Sequence, residues 1–322
     1  MVKDMAKKVK KRKIRASAFI ILFFVLIMII TFSIIGVNAY KYYTSYEYKL
    51  GKVGYNKEEI AKITKFDKKY INYALKKYDK YLIPLVSQKY FLYKNYDRYI
   101  SYIKKSYKYK KIVYSDVVTF VNTRNDSSFY KNTVVTNMNL GYGILVNKHY
   151  SLPEKYAPDD VVTMSNQYAY PNNSIRKDVY EAFKEMSKKA KEEGITLIVN
   201  SSYRTYEEQK ELYDDYSDKK GIEYADKYAA RPDFSEHQTG LALDIFSPGY
   251  GMKNFEESKA FAWLSENSWK YGFILRYPKD KDSITGYAYE AWHYRYLGKD
   301  LAKKVYESGL TFEEYYSYYL EK

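Results

Sequence analysis

An uncharged apolar stretch near the N-terminus, Ala16–Val37, constrains how this 322-residue chain can fold more than any other feature. A helix of about 20 apolar residues is long enough to cross the hydrocarbon core of a membrane. The fifteen residues before it carry eight lysines and arginines and one aspartate, and a basic flank of this kind favours a cytoplasmic N-terminus. We therefore predict a cytoplasmic basic tail at residues 1–15 and a transmembrane signal anchor at residues 16–38.

A cleaved signal peptide is the alternative interpretation of the same stretch. Cleavage would then follow Ala39, where the sequence VNA is a poor match to the small-residue pattern of a cleavage site. Because the apolar region of a signal peptide usually has only about 7–15 residues, the longer stretch here favours an uncleaved anchor. The prediction is a single-pass protein of the cell membrane whose large C-terminal part lies outside the cytoplasm.

The formal net charge of +15 has to be interpreted with this topology. The tail contributes eight basic and one acidic residue, or +7, which leaves +8 on the outward side. Nucleic acid is therefore not an expected partner, whereas an acidic wall polymer or anionic lipid headgroups would be attracted at long range. A solvated basic surface without a specific partner is equally compatible with the charge. Because the chain has no cysteine, any metal site must use histidine and carboxylate ligands.

Residues 39–133 are rich in tyrosine and lysine and predict a mainly helical accessory region. Asn56 and Glu59 have the spacing of a helix-start signature, and aromatic residues recur at helical intervals after it. We expect the tyrosines to cover short helices rather than to stack on carbohydrate. One strand, Ile112–Asn122, and a polar loop at residues 123–133 complete the region, and the main domain is predicted at residues 134–322.

The main domain mixes helical and strand patterns. One helix is predicted at Lys177–Glu193 and another at residues 256–272. A third is predicted at residues 206–220, where Thr205 and Glu208 have the spacing of a capping box at its start. Apolar runs around residues 195–204, 240–246, 273–278 and 289–297 predict strands. Strands combined with separate helices indicate a compact α+β domain.

Asp244 raises a chemical question because it stands between Leu243 and Ile245, where burial is expected. An unpaired buried carboxylate would cost several kcal/mol, so Asp244 needs a partner or a metal. His237 is the nearest candidate, but an offset of seven residues points to opposite faces of a straight strand. Gly240 could supply a bend between them. Taken alone, this pair would most simply be a structural histidine–aspartate contact.

A second pair, Glu290 and His293, changes that interpretation. These residues lie three apart in another strand-like segment. Two histidines and one carboxylate leave a zinc ion with an open coordination position, which is typical of catalytic sites. The remaining carboxylate could then act as a general base.

These segments resemble a known family. The pattern S-x-H-x-x-G-x-A-x-D at residues 235–244 resembles the zinc motif of the VanY-type D-alanyl-D-alanine carboxypeptidases, a family that includes L,D-carboxypeptidases. E-x-W-H at residues 290–293 and SSYRTYEEQ at residues 201–209 resemble its second and third motifs. The resemblance covers about Val134–Leu310 and does not extend to the tyrosine-rich region.

The resemblance implies a small zinc-peptidase fold, shared with lysostaphin-type enzymes and the hedgehog signalling domain, with a central antiparallel sheet flanked by helices. It implies that His237, Asp244 and His293 bind Zn²⁺. Glu290 would activate the metal water and pass its proton to the leaving amine.

The resemblance also implies residues for substrate binding. Arg204 would pair with the terminal carboxylate of the substrate or polarise the scissile carbonyl, and Gln209 and Ser235 would help to hold the C-terminal end of the peptide. Asp233 departs from the family pattern, because relatives often have glycine there. Its carboxylate could reshape the rim of the site or favour substrates that carry an amine.

The function implied is release of the C-terminal D-alanine from peptidoglycan stem peptides by a membrane-anchored zinc D,D-carboxypeptidase. An L,D-carboxypeptidase acting on tetrapeptide stems would use the same metal ligands. A non-catalytic cell-wall-binding module and an endopeptidase that cuts cross-bridges are further alternatives. The presence of Glu290 argues against the binding module, and a carboxylate-binding Arg204 argues against the endopeptidase.

Overall fold

The structure, a computed structural model, describes the backbone of residues 2–321 and the side chains of Met5 and residues 18–321. In the basic tail predicted at residues 1–15, Met5 is the one residue whose side chain the structure describes. Contacts divide the chain into two units, one ending at Lys89 and one beginning at Tyr90.

The first unit is helical. Its helices are α1 Val2–Thr44, α2 Tyr46–Val53, α3 Lys57–Ile63, α4 Lys68–Ala74 and α5 Leu82–Val86. The part of α1 at Ala18–Thr44 is long and apolar enough to cross a membrane, a property that a signal sequence would share. The predicted capping pair is confirmed, because Asn56 accepts a hydrogen bond from the backbone of Glu59 and returns one to its side chain.

The second unit combines helices with a central sheet. Its helices are α6 Tyr96–Ser106, α7 Tyr114–Asn122, α8 Lys177–Glu192, α9 Tyr206–Lys220, α10 Ile222–Tyr228, α11 Lys259–Asn267, α12 Asp282–Thr285, α13 Lys299–Ser308 and α14 Phe312–Tyr315. Its strands are β1 Val134–Val135, β2 Tyr150–Ser151, β3 Val161–Thr163, β4 Ser174–Arg176, β5 Ile198–Ser201, β6 Ala242–Phe246, β7 Phe273–Tyr277 and β8 Glu290–Tyr296. Short turns of 3-10 helix lie at Tyr93–Asn95, Met138–Gly143, Glu236–Thr239, Phe255–Glu257 and Ser268–Tyr271, and a π-helical turn lies at Tyr316–Leu320.

The central sheet has the strand order β5-β6-β8-β7, and each neighbouring pair is antiparallel. Two small pairs accompany it, β1 with β2 and β3 with β4. The predicted α+β class, with an antiparallel sheet flanked by helices, is confirmed. The four predicted strands of the main domain are the four strands of this sheet.

One face of the sheet packs against α8. Val179, Phe183 and Met186 of this helix share a buried cluster with Leu243 and Ile245 of β6. Burial of each such side chain contributes about 1.5–3 kcal/mol. Because side chains alternate along a strand, packing of these two β6 residues in the core turns the residue between them, the aspartate, toward the other face.

The strand predicted at Ile112–Asn122 is wrong, because Tyr114–Asn122 is helix α7. The valines that suggested a strand are buried at positions 117, 118 and 121, which is the spacing of one helix face. The guanidinium of Arg98 on α6 donates to the carbonyl oxygen of Val121 over 2.7 Å. Packing between the two helices therefore outweighs the modest strand preference of valine.

The unit that contains the sheet begins at Tyr90, earlier than the predicted domain start at Val134. Asn125 illustrates why. Its side-chain oxygen lies 3.2 Å from Nε2 of His149, and its amide nitrogen donates to the carbonyl oxygen of Ile284 over 2.9 Å. The change in composition at residue 134 therefore does not coincide with a change in packing.

Candidate metal centre and active site

The three residues expected to bind a metal lie together on one face of the central sheet, at its two inner strands. Asp244 on β6 pairs directly across the ladder with His293 on β8. His237 lies in the 3-10 turn Glu236–Thr239 that precedes β6. One ligand atom from each of the three lies within 4.8 Å of the others, so they could hold one ion.

Gly240 explains how His237 and Asp244 share a face despite their odd separation. Its φ of +65° lies in the left-handed region, where the chain reverses between the turn and β6. A Cβ atom at this position would lie 2.7 Å from Cγ of Arg176. The bend predicted at this glycine is therefore present, and the space around it is already filled.

The two imidazoles present different nitrogens to Asp244. Nδ1 of His237 lies 2.6 Å from the carbonyl oxygen of Ser202, which can only accept a hydrogen bond, so this nitrogen carries the proton. Its Nε2 faces Oδ1 of Asp244 at 3.6 Å. For His293 the facing atom is Nδ1, 3.2 Å from the same oxygen.

Asp244 itself fits a metal ligand. Its Oδ1 atom is buried and has no hydrogen-bond partner among the described residues. Burial raises the pKa of Asp244, but the neighbouring His237 and His293 hold it well below its usual value, so the group is a carboxylate. A buried ionised oxygen without a hydrogen bond marks a place where a cation can bind.

The charges around His293 also favour a cation. Burial lowers the pKa of this imidazole, but its contacts with Asp244 and Glu236 and the charge of Glu290 raise it to about 9. Burial and the charge of Arg204 lower the pKa of the other histidine, His237. Metal binding requires neutral imidazole, so a bound dication would take the place of the proton on His293. Two imidazole nitrogens and one carboxylate suit a tetrahedral zinc site with an open position.

Glu290 begins β8 beside this cluster. Its Oε2 atom lies 3.5 Å from Nδ1 of His293. Burial raises the pKa of Glu290 to about 7, an effect that the charge of His293 opposes and that of Asp244 reinforces. A general base works best when its pKa lies near the working pH, so this carboxyl suits proton transfer.

Arg204 is held at the junction between β5 and α9. Thr205 caps α9 and forms the predicted capping box with Glu208. Nη1 of Arg204 donates to Oε1 of Gln209 over 2.5 Å, and Nε2 of Gln209 donates to the carbonyl oxygen of Ala230 over 2.7 Å. Gln209 is buried, so it fixes the direction in which the guanidinium points.

The cluster opens into a cavity of about 560 Å³. Arg204, Gln209 and Ser235 contribute to its wall together with the three metal-binding candidates and Glu290. Its wall also includes Tyr216, Tyr224, Tyr228, Met252, Lys253 and Trp292. The structure therefore brings all seven predicted site residues to one cavity.

Asp233 does not behave as expected for a residue of the rim. Its carboxylate accepts hydrogen bonds from the backbone of Lys155 over 3.0 Å and from the side chain of Gln238 over 2.8 Å. Its φ of +66° is uncommon for a residue with a side chain, although aspartate tolerates it better than most. This backbone conformation accounts for a preference for glycine, and the carboxylate fastens the loop rather than facing a substrate amine.

Sequence reasoning missed a buried ionic cluster behind His293. Glu236 accepts hydrogen bonds from Arg276 on β7 and from Arg295 on β8, over 2.7 and 2.8 Å. Arg276 is also paired with Glu313 on α14. The signal was present, because an arginine within an apolar strand needs a buried partner for the same reason as Asp244.

An antiparallel sheet with two histidines, one aspartate, a neighbouring glutamate and a clamped arginine defines a metallopeptidase-type centre. The family model described as VanY, D-alanyl-D-alanine carboxypeptidase, matches residues 172–299 of this chain. These residues contain β4 to β8 and every predicted site residue. The chain belongs to the VanY family of D-alanyl-D-alanine carboxypeptidases, as its motifs indicated.

Individual relatives support the assignment. The Bacillus subtilis (strain 168) protein YodJ is 44% identical over 182 residues, 53% of this chain and 66% of its own. The bifunctional D-Ala-D-Ala dipeptidase and D-Ala-D-Ala carboxypeptidase VanXYC of Enterococcus gallinarum is 32% identical over 54% of this chain and 93% of its own. A solved structure of the LdcB LD-carboxypeptidase is 42% identical, covers 54% of this chain and 85% of its own, and gives a TM-score of 0.52.

The similarity covers only part of several relatives. The chain spans 66% of YodJ, and 58% and 64% of the D-alanyl-D-alanine carboxypeptidases of Enterococcus faecium and Enterococcus faecalis (strain ATCC 700802 / V583).

Proposed function

We propose that this protein is a membrane-anchored zinc D,D-carboxypeptidase that releases the C-terminal D-alanine from peptidoglycan stem peptides. The observation that carries the proposal is the convergence of His237, Asp244 and His293 within 4.8 Å, with Glu290 beside His293 in the wall of the same cavity. These three residues would hold Zn²⁺. When bound, the ion supplies Lewis-acid activation of a peptide carbonyl and of a water molecule.

Glu290 carries the proton transfers in this proposal. As a buried carboxylate it accepts a proton from the attacking water and then donates it to the leaving amine of D-alanine. Its pKa of about 7 allows both steps, because neither the acid nor the base form is strongly favoured. The bond that breaks is the amide before the terminal residue, and the water supplies the new carboxyl oxygen and the proton on the amine.

Arg204 binds the terminal carboxylate of the substrate and thereby selects the end of a peptide. Its planar guanidinium can donate two parallel hydrogen bonds to a carboxylate. Gln209 has both ends of its amide engaged, with Arg204 and Ala230, so its role is to aim Arg204 rather than to bind peptide. Ser235 lies in the cavity wall and would hold the C-terminal end of the peptide.

The location follows from the apolar helix. Ala18–Thr44 would span the membrane once and keep the catalytic unit on the outer side, where peptidoglycan is found. The basic surface would favour residence near anionic wall polymers.

An L,D-carboxypeptidase is the second candidate function. The likeness to the LdcB LD-carboxypeptidase, at 42% identity and a TM-score of 0.52, favours it. In that case the substrate would be a tetrapeptide stem, and the roles of His237, Asp244, His293, Glu290 and Arg204 would be unchanged.

The deciding experiment uses the full chain in detergent, loaded with zinc, and synthetic tetra- and pentapeptide stems. Mass spectrometry should record the loss of one alanine, from the pentapeptide for the D,D-enzyme or from the tetrapeptide for the L,D-enzyme. The loss should stop when a chelator removes the metal. If neither peptide is shortened, or if the chelator changes nothing, the proposal is wrong.

A further inference from the structure

Glu236 is a buried carboxylate that lies directly behind His293. Only 3% of the surface of Glu236 is exposed to solvent. Oε1 accepts hydrogen bonds from Nε of Arg276 over 2.7 Å and from Nη1 of Arg295 over 2.8 Å. The other oxygen, Oε2, lies 3.4 Å from Nε2 of His293.

The charges of this cluster balance. Arg276 donates two further hydrogen bonds to Glu313 over 2.8 and 2.6 Å, and Arg295 donates to the carbonyl oxygens of Tyr142 and Ile144. Two guanidinium groups thus face two carboxylates in the interior. A buried ion pair is tolerated when its remaining donors and acceptors are satisfied, and this one is. Glu236 therefore stays ionised and keeps Oε2 as a hydrogen-bond acceptor.

We infer that Glu236 is a positioning residue that fixes His293 as an Nδ1 metal ligand. A carboxylate that accepts a hydrogen bond from Nε2–H leaves the lone pair on Nδ1, the atom that faces Asp244 and Glu290. It also prevents the ring from turning about its χ2 axis. Partners of this kind behind a metal-binding histidine set its tautomer and orientation.

The same contacts connect the metal centre to the C-terminal end of the chain. Glu313 belongs to the short helix α14, and its Oε1 also accepts a hydrogen bond from Asn147 over 3.1 Å. The order of contact is Glu313, Arg276, Glu236 and then His293. We include Glu313 in the inference as the residue that holds Arg276 against Glu236.

The inference rests on the proposed metal centre but not on the proposed reaction, and its test measures zinc directly. The full chain in detergent is titrated with Zn²⁺ against a competing chelator, without any substrate. Glu236→Gln should weaken zinc binding by about 10- to 100-fold. In the zinc-loaded protein, where the ring carries a single proton, the ¹⁵N shifts of His293 in Glu236→Gln should show a smaller share of the Nε2–H form than in the wild type.

A matched pair of variants separates the chain of contacts from the stability of α14. Glu313→Gln removes the charge of the carboxylate that pairs with Arg276, whereas Glu314→Gln removes the charge of the neighbouring capping residue, which accepts hydrogen bonds from Thr311. Glu313→Gln should weaken zinc binding several-fold, and Glu314→Gln should leave it unchanged. If Glu236→Gln does not fold, this pair of variants still tests whether the contacts from Glu313 to His293 support zinc binding.

Two results would overturn the inference. One is zinc binding by folded Glu236→Gln that equals the wild type with an unchanged His293 tautomer. The other is equal weakening by Glu313→Gln and Glu314→Gln, which would mean that α14 acts only through its stability. Failure of the proposed function would give a different result. The zinc-loaded wild-type protein would then release no alanine, although Glu236→Gln and Glu313→Gln would still bind zinc more weakly than the wild type.

Discussion

Asp244 and His293 are direct partners across the antiparallel pair β6–β8, and Oδ1 of the first lies 3.2 Å from Nδ1 of the second. A slip of one residue in this register would turn one of the two side chains toward the opposite face. The apolar neighbours Leu243 and Ile245, which are fully buried, oppose such a slip. The core that stabilises the sheet therefore also sets the geometry of the metal centre.

Glu290→Gln tests the general base. The amide keeps the size of the side chain but cannot accept a proton, so we expect alanine release to fall by about 10²–10⁴-fold. Zinc binding should be retained, because the three proposed ligands are unchanged. The measurement is the initial rate on the preferred stem peptide together with the zinc content of the purified protein. Glu192→Gln, on the exposed face of α8, serves as the control, and equal rates for both variants would refute the role of Glu290.

Arg204→Ala tests recognition of the free C-terminus. Loss of a charge-assisted hydrogen bond costs about 1.5–3 kcal/mol, or roughly 10- to 100-fold in kcat/KM for a peptide with a free carboxylate. A peptide with an amidated C-terminus should be affected little. Gln209→Ala should give a smaller change in the same direction, because it frees the guanidinium without removing it. An unchanged preference for free over amidated ends in Arg204→Ala would rule out the carboxylate clamp.

Metal removal tests the fit of the site to a divalent ion. A ligand that binds only the folded state stabilises it by about 2.7 kcal/mol when present at 100 times its dissociation constant. Zinc should therefore raise the Tm of the metal-free protein in a calorimetric scan. Asp244→Asn keeps the shape of the site but loses the charge, and its Tm should respond far less. Identical responses from both proteins would show that zinc binds elsewhere.

Gly240→Ala tests the bend that returns His237 to the metal centre. An alanine in the left-handed region costs about 1–2 kcal/mol, and here its Cβ would also meet Arg176 at 2.7 Å. We expect a lower free energy of unfolding in denaturant and weaker zinc binding. Gly194→Ala is the matched control, with φ of +77° and nothing within 4 Å of the added Cβ. It should lose stability from the backbone alone and bind zinc normally. Equal zinc binding in both variants would contradict the role assigned to the bend.

Lys148 makes stability depend on pH. Its Nζ donates to the carbonyl oxygen of Gly286 and lies over the rings of Phe129 and Tyr287, and burial lowers its pKa to about 8. The unfolded chain, with the ordinary pKa of 10.5, binds more protons than the folded one between these values. The contribution of Lys148 to the free energy of unfolding therefore rises as pH increases from about 8 to 10.5.

Lys148→Met removes this dependence. The free energy of unfolding of the variant, relative to that of the wild type, should fall as pH rises from 7.5 to 9.5. Denaturant titrations at the two pH values measure this difference. Lys188→Met, at an exposed position on α8, is the control and should change with pH as the wild type does. A constant stability difference between Lys148→Met and the wild type would contradict the assignment.

Much of the local structure and the site could be predicted from the sequence. The capping boxes at Asn56 and Thr205 and the helix α8 depend on contacts between residues a few positions apart. The candidate ligands could be recognised because charged groups are unusual in apolar surroundings and because their motifs resemble those of a known family. Helix α7 was predicted wrongly because its valines are compatible with either period until its packing partner, α6, is known.

The sequence by itself indicated the candidate metal ligands, through residue types and motifs that resemble a known family, and it determined which segments form the sheet and which helix is apolar enough for a membrane. These properties reside in residue type and short-range spacing. Only the tertiary structure decided that Glu236 lies behind His293, that Glu313 reaches Arg276, and that residues from Tyr90 onward join the unit of the sheet. Such contacts join segments far apart in the chain, and a buried charge reveals only that a partner must exist, not where it lies in the sequence.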